Sequence, residues 1–312
     1  MVLNLRRRLL FTAGGAIGTL MLVYLASSLG PAGIFISLFI PLPVAFVVLR
    51  SGVLPGLGAI VLAVAGLLAA QETAGVASYL LQFSLGSLLL PLLLRRGWPW
   101  DKALATSIIT VVMVAAAAIL GFALWRGLSV QALMTEYIQG EVKQALALYS
   151  EPDLTTAQLA EYRQIVQRTG EFLVQAYPGL ALVMAGFIQG LTLLGLVALG
   201  RGRLLLAGPS FRQWRAPESL IWLLIAGGFG TFLVNGWPAR LAINLLTVLL
   251  PVYFLQGLAV VSFFFARNGI SPLFRAVGYL LLTVLNPLPL IVTGIGVFDL
   301  WANFRKPRIK KT

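Results

Sequence analysis

Nothing constrains the fold of this chain more than its succession of apolar runs, each close to the length a helix needs to cross a bilayer. They lie at Leu9–Leu29, Gly33–Leu49, Val53–Ala70, Val76–Leu94, Ala103–Trp125, Phe172–Leu199, Ser219–Val234, Ala239–Ala266 and Ala276–Leu300. Roughly 20 apolar residues span the hydrocarbon core, and backbone exposed to lipid must satisfy its own hydrogen bonds, which leaves helices as the solution for such runs. Only 11% of residues are charged and 59% are hydrophobic, against about 25% charged in a soluble domain. The expectation is an all-α polytopic transmembrane helical bundle. The last run is divided by Asn286-Pro287-Leu288-Pro289, so it reads as one helix or as a broken hairpin, giving nine or ten spans.

The breaks set the threading. Gly30-Pro31, Arg50-Ser51-Gly52, Gln71-Glu72-Thr73 and the stretch from Arg95 to Lys102 are turn signals or charge clusters. With the N-terminus cytoplasmic, Arg6, Arg7, Arg8, Arg50, Arg95, Arg96 and Lys102 all fall inside, as the positive-inside rule requires. The net charge of +13 is therefore read as topology, with the lipid bilayer as partner and no role for nucleic acid. As one helix the last run would leave Arg305, Lys306, Arg308, Lys310 and Lys311 outside, against that rule; a hairpin would bring them in.

Five N-terminal spans place the long polar stretch 127–171 outside. It holds six of the ten acidic residues, Glu136, Glu141, Glu151, Asp153, Glu161 and Glu171. Apolar residues recur with helical period from Val130 to Tyr149 and again from Leu159 to Phe172, separated by Ser150-Glu151-Pro152-Asp153, and Thr155 to Gln158 resembles a capping box. Two amphipathic helices in an extracytoplasmic insert are expected, lying on the membrane surface, on the bundle, or over a cavity. Three regions result: a five-span bundle at 1–126, the insert at 127–171, and a C-terminal membrane bundle with a basic tail at 172–312.

Chemistry is bounded by what is missing. The chain has no histidine and no cysteine, so the usual zinc ligand sets and Ser-His or Cys-His nucleophile pairs cannot form, and no phosphate-binding loop ending in Gly-Lys-Ser or Gly-Lys-Thr occurs. No catalytic residue, metal ligand or cofactor is expected, and any energy must come from a partner or a gradient. Asp299 lies beside the basic tail, where pairing with Arg305 or Lys306 is the ordinary expectation. The remaining site candidates are Arg240, Asn244, Thr247, Gln189, Gln256 and Asn286. Arg240, Asn244 and Thr247 share one helical face and suit a polar or anionic small molecule; Gln256 falls on another face. Interhelical hydrogen bonding is the alternative for each.

Three strings, Phe211-Arg-Gln-Trp-Arg-Ala-Pro217, Tyr253-Phe-Leu-Gln-Gly-Leu-Ala-Val-Val261 and Gly296-Val-Phe-Asp-Leu-Trp-Ala-Asn-Phe-Arg305, resemble the pattern of the YybS-like bacterial integral membrane proteins. The N-terminal spans of that family are distantly similar to the S components of energy-coupling-factor transporters. The resemblance implies a multi-pass protein of the bacterial cytoplasmic (inner) membrane, with a small-molecule binding or transport role and an energy-coupling or other membrane protein partner. A non-enzymatic scaffold or assembly factor is the alternative.

Overall fold

The computed structural model describes residues 5–148, 156–200 and 204–306. Among them the regular structure is helical: α1 Leu5–Ser28, α2 Gly33–Ser37, α3 Leu42–Ser51, α4 Val53–Ala69, α5 Thr73–Tyr79, α6 Leu85–Arg95, α7 Trp100–Trp125, α8 Val130–Leu148, α9 Thr156–Leu199, α10 Leu220–Leu233, α11 Trp237–Arg267, α12 Pro272–Val284 and α13 Leu288–Ala302. The chain divides into two compact units, one of Met1–Val130 with Met184–Gly208 and one of Gln131–Val183 with Pro209–Thr312.

In the first unit, α1, α3 and α4 pack through small residues. A Cβ added at Gly15 would meet Val47 at 2.6 Å, one at Gly56 would meet Val48 at 2.2 Å, and one at Gly66 would meet Leu20 at 2.6 Å. Ala16, Val44, Val48, Ala59, Ala63, Leu67, Tyr79 and Phe83 form the core around these approaches. The Thr12 hydroxyl donates to Pro55 O at 3.3 Å, so α1 and α4 begin at the same end. Arg95 Nη1 donates to Val48 O at 2.7 Å, capping the last turn of α3 where Gly52 turns away at φ 106°. The basic clusters at Arg50 and Arg95 thus gather at one end of this unit, as alternating crossings require. The α5–α6 helix carries a π turn at Leu80–Ser84.

In the second unit, α8 and the first half of α9 pair: the Tyr162 hydroxyl donates to Ala145 O at 2.9 Å and Gly170 faces Val142. The first expected amphipathic helix is α8. The second is not a separate element, because α9 continues through Glu171 and Phe172 to Leu199; Gly170, the turn-prone residue at the change from polar to apolar composition, is carried through within the helix, where it packs against Val142. The break at 150–153, Thr155 of the capping box, Arg201, Arg203, Arg308, Lys310 and Lys311 lie outside the described residues.

Among the described residues, six helical segments are long and apolar enough to cross a membrane, or seven if α12 and α13, bent by 99° across their break, count as one. The nine or ten apolar runs exceed that number because two of them make shorter helices. α4 has 17 residues and α10 only 14, about 25 and 21 Å at 1.5 Å per residue. In α10 the turn at Pro217 to Ser219 and the extended Val234 take both ends of the run out of the helix. The division at Asn286–Pro287 is a sharp bend, the broken form of the two that the sequence left open.

Candidate functional site

The polar stripe of α11 faces a proline. Pro178 lies inside α9; having no N–H, it leaves the carbonyl of Val174 without its helical donor and pushes the preceding turn open. Arg240 Nη2 donates to Val174 O at 2.9 Å, and its Nε to Gln175 O at 3.3 Å. Its guanidinium also lies 5.1 Å from the centroid of the Tyr177 ring, a cation–π distance. Asn244 completes the repair. Its Oδ1 accepts from Gly179 N–H at 2.6 Å and its Nδ2 donates to Gln175 O at 2.8 Å, so one amide engages both backbone groups that would pair with each other across this turn of a regular helix. A second Nδ2 bond runs to Arg240 O at 2.8 Å. Thr247 donates to Ile243 O within its own helix, and its Cβ sits 3.1 Å from where a Cβ at residue 179 would stand. Gly179 is what lets the two backbones approach so closely.

The structure therefore brings Arg240, Asn244 and Thr247 together, but aims their main bonding groups at α9. Gln189 belongs to the other unit, where its Nε2 donates to Ser107 at 2.9 Å and packs over Gly86. Asn286 is exposed in the turn between α12 and α13.

Gln256 leads to a different constellation. Gly227 and Gly230 of α10 lie against Ala242 to Leu246 of α11, whereas Val292 and Gly296 of α13 lie against Gly257 and Tyr253. Both short helices run antiparallel to α11, α10 against its first half and α13 against the stretch from Tyr253 to Gly257. A Cβ at Gly257 would stand 1.9 Å from Val292 O, and one at Gly296 equally close to Tyr253 O, so backbone touches backbone, as small residues permit in membrane helices. That contact brings Asp299 to Gln256.

Asp299 is fully buried. Its Oδ2 receives Arg305 Nη2, lies 3.7 Å from Arg215 Nε, and is reached by Gln256 Nε2 at 3.4 Å. Gln256 Oε1 accepts from Ala216 N–H at 2.9 Å, Arg305 Nη1 donates to Arg212 O and Trp214 O at 3.0 and 2.8 Å, and Arg215 Nη2 bonds Asn303. Asn303 is left-handed, φ 45°, and its N–H returns to Asp299 O, closing α13 with an αL cap. The extended segment 211–216 and the end of α13 are thereby tied together around one carboxylate. Asp299 Oδ1 and Arg305 Nε have no bonding partner among the described residues.

The expected pairing of Asp299 with Arg305 is present. What sequence reasoning missed is its setting: a carboxylate fully buried beside the middle of a helix long enough to span, shared by two arginines and a glutamine. One signal was available, since Asp299 is the sole acidic residue after Glu218.

A family model described as a predicted membrane protein, DUF2232, matches residues 17–300. The chain belongs to this family. The matched stretch takes in the Arg240 stripe, Gln256 and Asp299, and stops short of Arg305. No curated protein and no solved structure matches the chain.

Proposed function

We propose that this DUF2232 protein is a small-molecule binding or transport subunit that lacks an ATPase of its own and takes its energy from a membrane partner or a gradient. The supporting observation is the Asp299–Arg305–Arg215–Gln256 constellation, where the 211–216 segment meets α11 and the end of α13. A carboxylate buried within an apolar helical chain is costly, and such residues mark ligand and ion pathways in membrane proteins. The resemblance of the chain to YybS-like proteins, and of its first spans to S components, points the same way. In this reading the protein has nine or ten crossings of the bacterial cytoplasmic membrane, a cytoplasmic N-terminus, and its 127–171 insert outside.

The test is to purify the protein in discs of native membrane, identify the small molecules that travel with it, and measure which of them raise its thermal midpoint. A ligand whose effect disappears in Asp299→Asn supports the proposal; a preparation that carries none and responds to no member of a metabolite library overturns it. A second reading, a non-enzymatic scaffold, is favoured by Arg240 and Asn244, whose bonds hold α9 rather than face a cavity. It expects a stoichiometric protein partner and no small molecule.

A further inference from the structure

The two segments tied around Asp299 carry more cations than it can answer. Residues 211–218 and 299–306 contain Arg212, Arg215, Arg305 and Lys306 against Asp299 and Glu218. Both terminal nitrogens of Arg305 are engaged: its side chain is 6% exposed, Nη1 serves two carbonyls and Nη2 serves Asp299. Arg215 is held far more loosely, with a side chain 39% exposed, a long 3.7 Å approach to Asp299 and one bond to Asn303. Exposed Glu218 makes no ion pair with it among the described residues.

This asymmetry allows an exchange. If Arg215 swings away, Asp299 Oδ2 keeps Arg305 and Gln256, so no buried carboxylate is stranded. The large cost of breaking a buried pair, which follows from leaving a charge uncompensated, does not apply to Arg215 as it does to Arg305.

We propose that Arg215 binds the carboxylate or phosphate group of an anionic ligand, trading its long contact with Asp299 for a direct pair, while Arg305, Asp299 and Gln256 form the fixed base beneath it. This rests on the binding reading above and gives its ligand a charge. Arg240 does not serve that purpose, because α9 already holds its guanidinium.

The test uses the purified full chain in phosphatidylcholine discs. Thermal unfolding is followed with inorganic phosphate or succinate against chloride at matched ionic strength. A second arm replaces part of the lipid with phosphatidylglycerol and adds no soluble anion. The expected result is a rise in the midpoint of the wild-type protein, with apparent affinity at least tenfold weaker in Arg215→Gln and within about threefold of wild type in Arg215→Lys, since charge survives there while the fork geometry is lost. A response in the first arm identifies a soluble anion and one in the second a lipid headgroup. Equal responses in wild type and Arg215→Gln, or none in either arm, overturn the proposal. A neutral or cationic ligand that stabilises both proteins alike would sink the anion inference and leave the binding reading standing, whereas finding no ligand of any charge sinks that reading itself. Arg215→Gln is first shown to melt like wild type without added anion.

Discussion

The Asn244 amide is the residue whose removal is most informative. Asn244→Ala deletes three hydrogen bonds, to Gly179 N–H, Gln175 O and Arg240 O. Hydrogen bonds between membrane helices average about 0.6 kcal/mol each, which gives roughly 2 kcal/mol. Gln175 O keeps Arg240 Nε, but the N–H of buried Gly179 is left with no acceptor, and an orphaned buried donor adds about 1–3 kcal/mol. We expect a loss of about 3 kcal/mol, read as unfolding free energy in mixed micelles. The mechanism makes a sharper demand. In a Pro178→Ala background the residue at 178 regains its N–H, the turn of α9 closes on Val174 and Gln175, and Gly179 N–H recovers its backbone acceptor. Asn244→Ala should then cost only about 1 kcal/mol, a coupling of about 2 kcal/mol across the double-mutant cycle. Equal costs in the two backgrounds would show that Asn244 does not replace the bond lost at the proline, and the splint argument would fall.

Three further perturbations address the other contacts. Gly257→Ala or Gly296→Ala places a Cβ 1.9 Å from a backbone carbonyl and should destabilise by about 1–3 kcal/mol as α11 and α13 are forced apart; Gly294→Ala, with nothing within 4 Å of its added carbon, is the neutral control in the same thermal assay. Asp299→Ala strands Arg305 and should cost about 3–5 kcal/mol, while Asp299→Leu with Arg305→Met should recover most of it; a double variant no better than the single one would contradict the ion-pair account. Gln189→Leu gives up one bond to Ser107 and removes a buried Oε1 that has no partner, so stability should change by less than about 1 kcal/mol, and a ligand response lost in this variant alone would move the site into the first unit.

Much of the architecture was legible because lipid leaves few choices. An apolar run of adequate length must be helical, and basic residues at alternate breaks order the runs, which is why Arg50 and Arg95 do gather at one end of the first unit. Counting spans was less secure, since hydropathy measures composition and not where a helix stops: the run that became α4 loses Ala70, and the run that became α10 loses Ser219 and Val234. The continuity of α9 was hidden for the opposite reason. A change of polarity alone cannot end a helix, and Gly170 beside Glu171 reads as a stop although it serves as a contact with Val142. The stripe Arg240, Asn244, Thr247 was visible as periodicity, but its target was not, because Pro178 and Asn244 are linked only when α9 and α11 lie side by side. The pairing of Asp299 with Arg305 was legible from the basic tail beside it, but its contact with Gln256 was not, since only the packing of α13 on α11 brings the two together.

These corrections share a physical basis for separating a structural polar residue from a working one. Arg240, Asn244 and Arg305 have their polar groups committed to carbonyls, an amide or a carboxylate that would otherwise be orphaned, so their removal registers as stability. Arg215 is the exception among the strongly placed cations, since the carboxylate it approaches is already satisfied on the same oxygen and its own side chain remains partly open. A residue that can leave its partner without stranding it is one whose loss should register as binding. Stability and ligand response measured together on Asn244→Ala and Arg215→Gln test that distinction directly: the first should lower the melt and spare the anion response, the second should spare the melt and remove the response, and the reverse pattern would assign the two sites the opposite way.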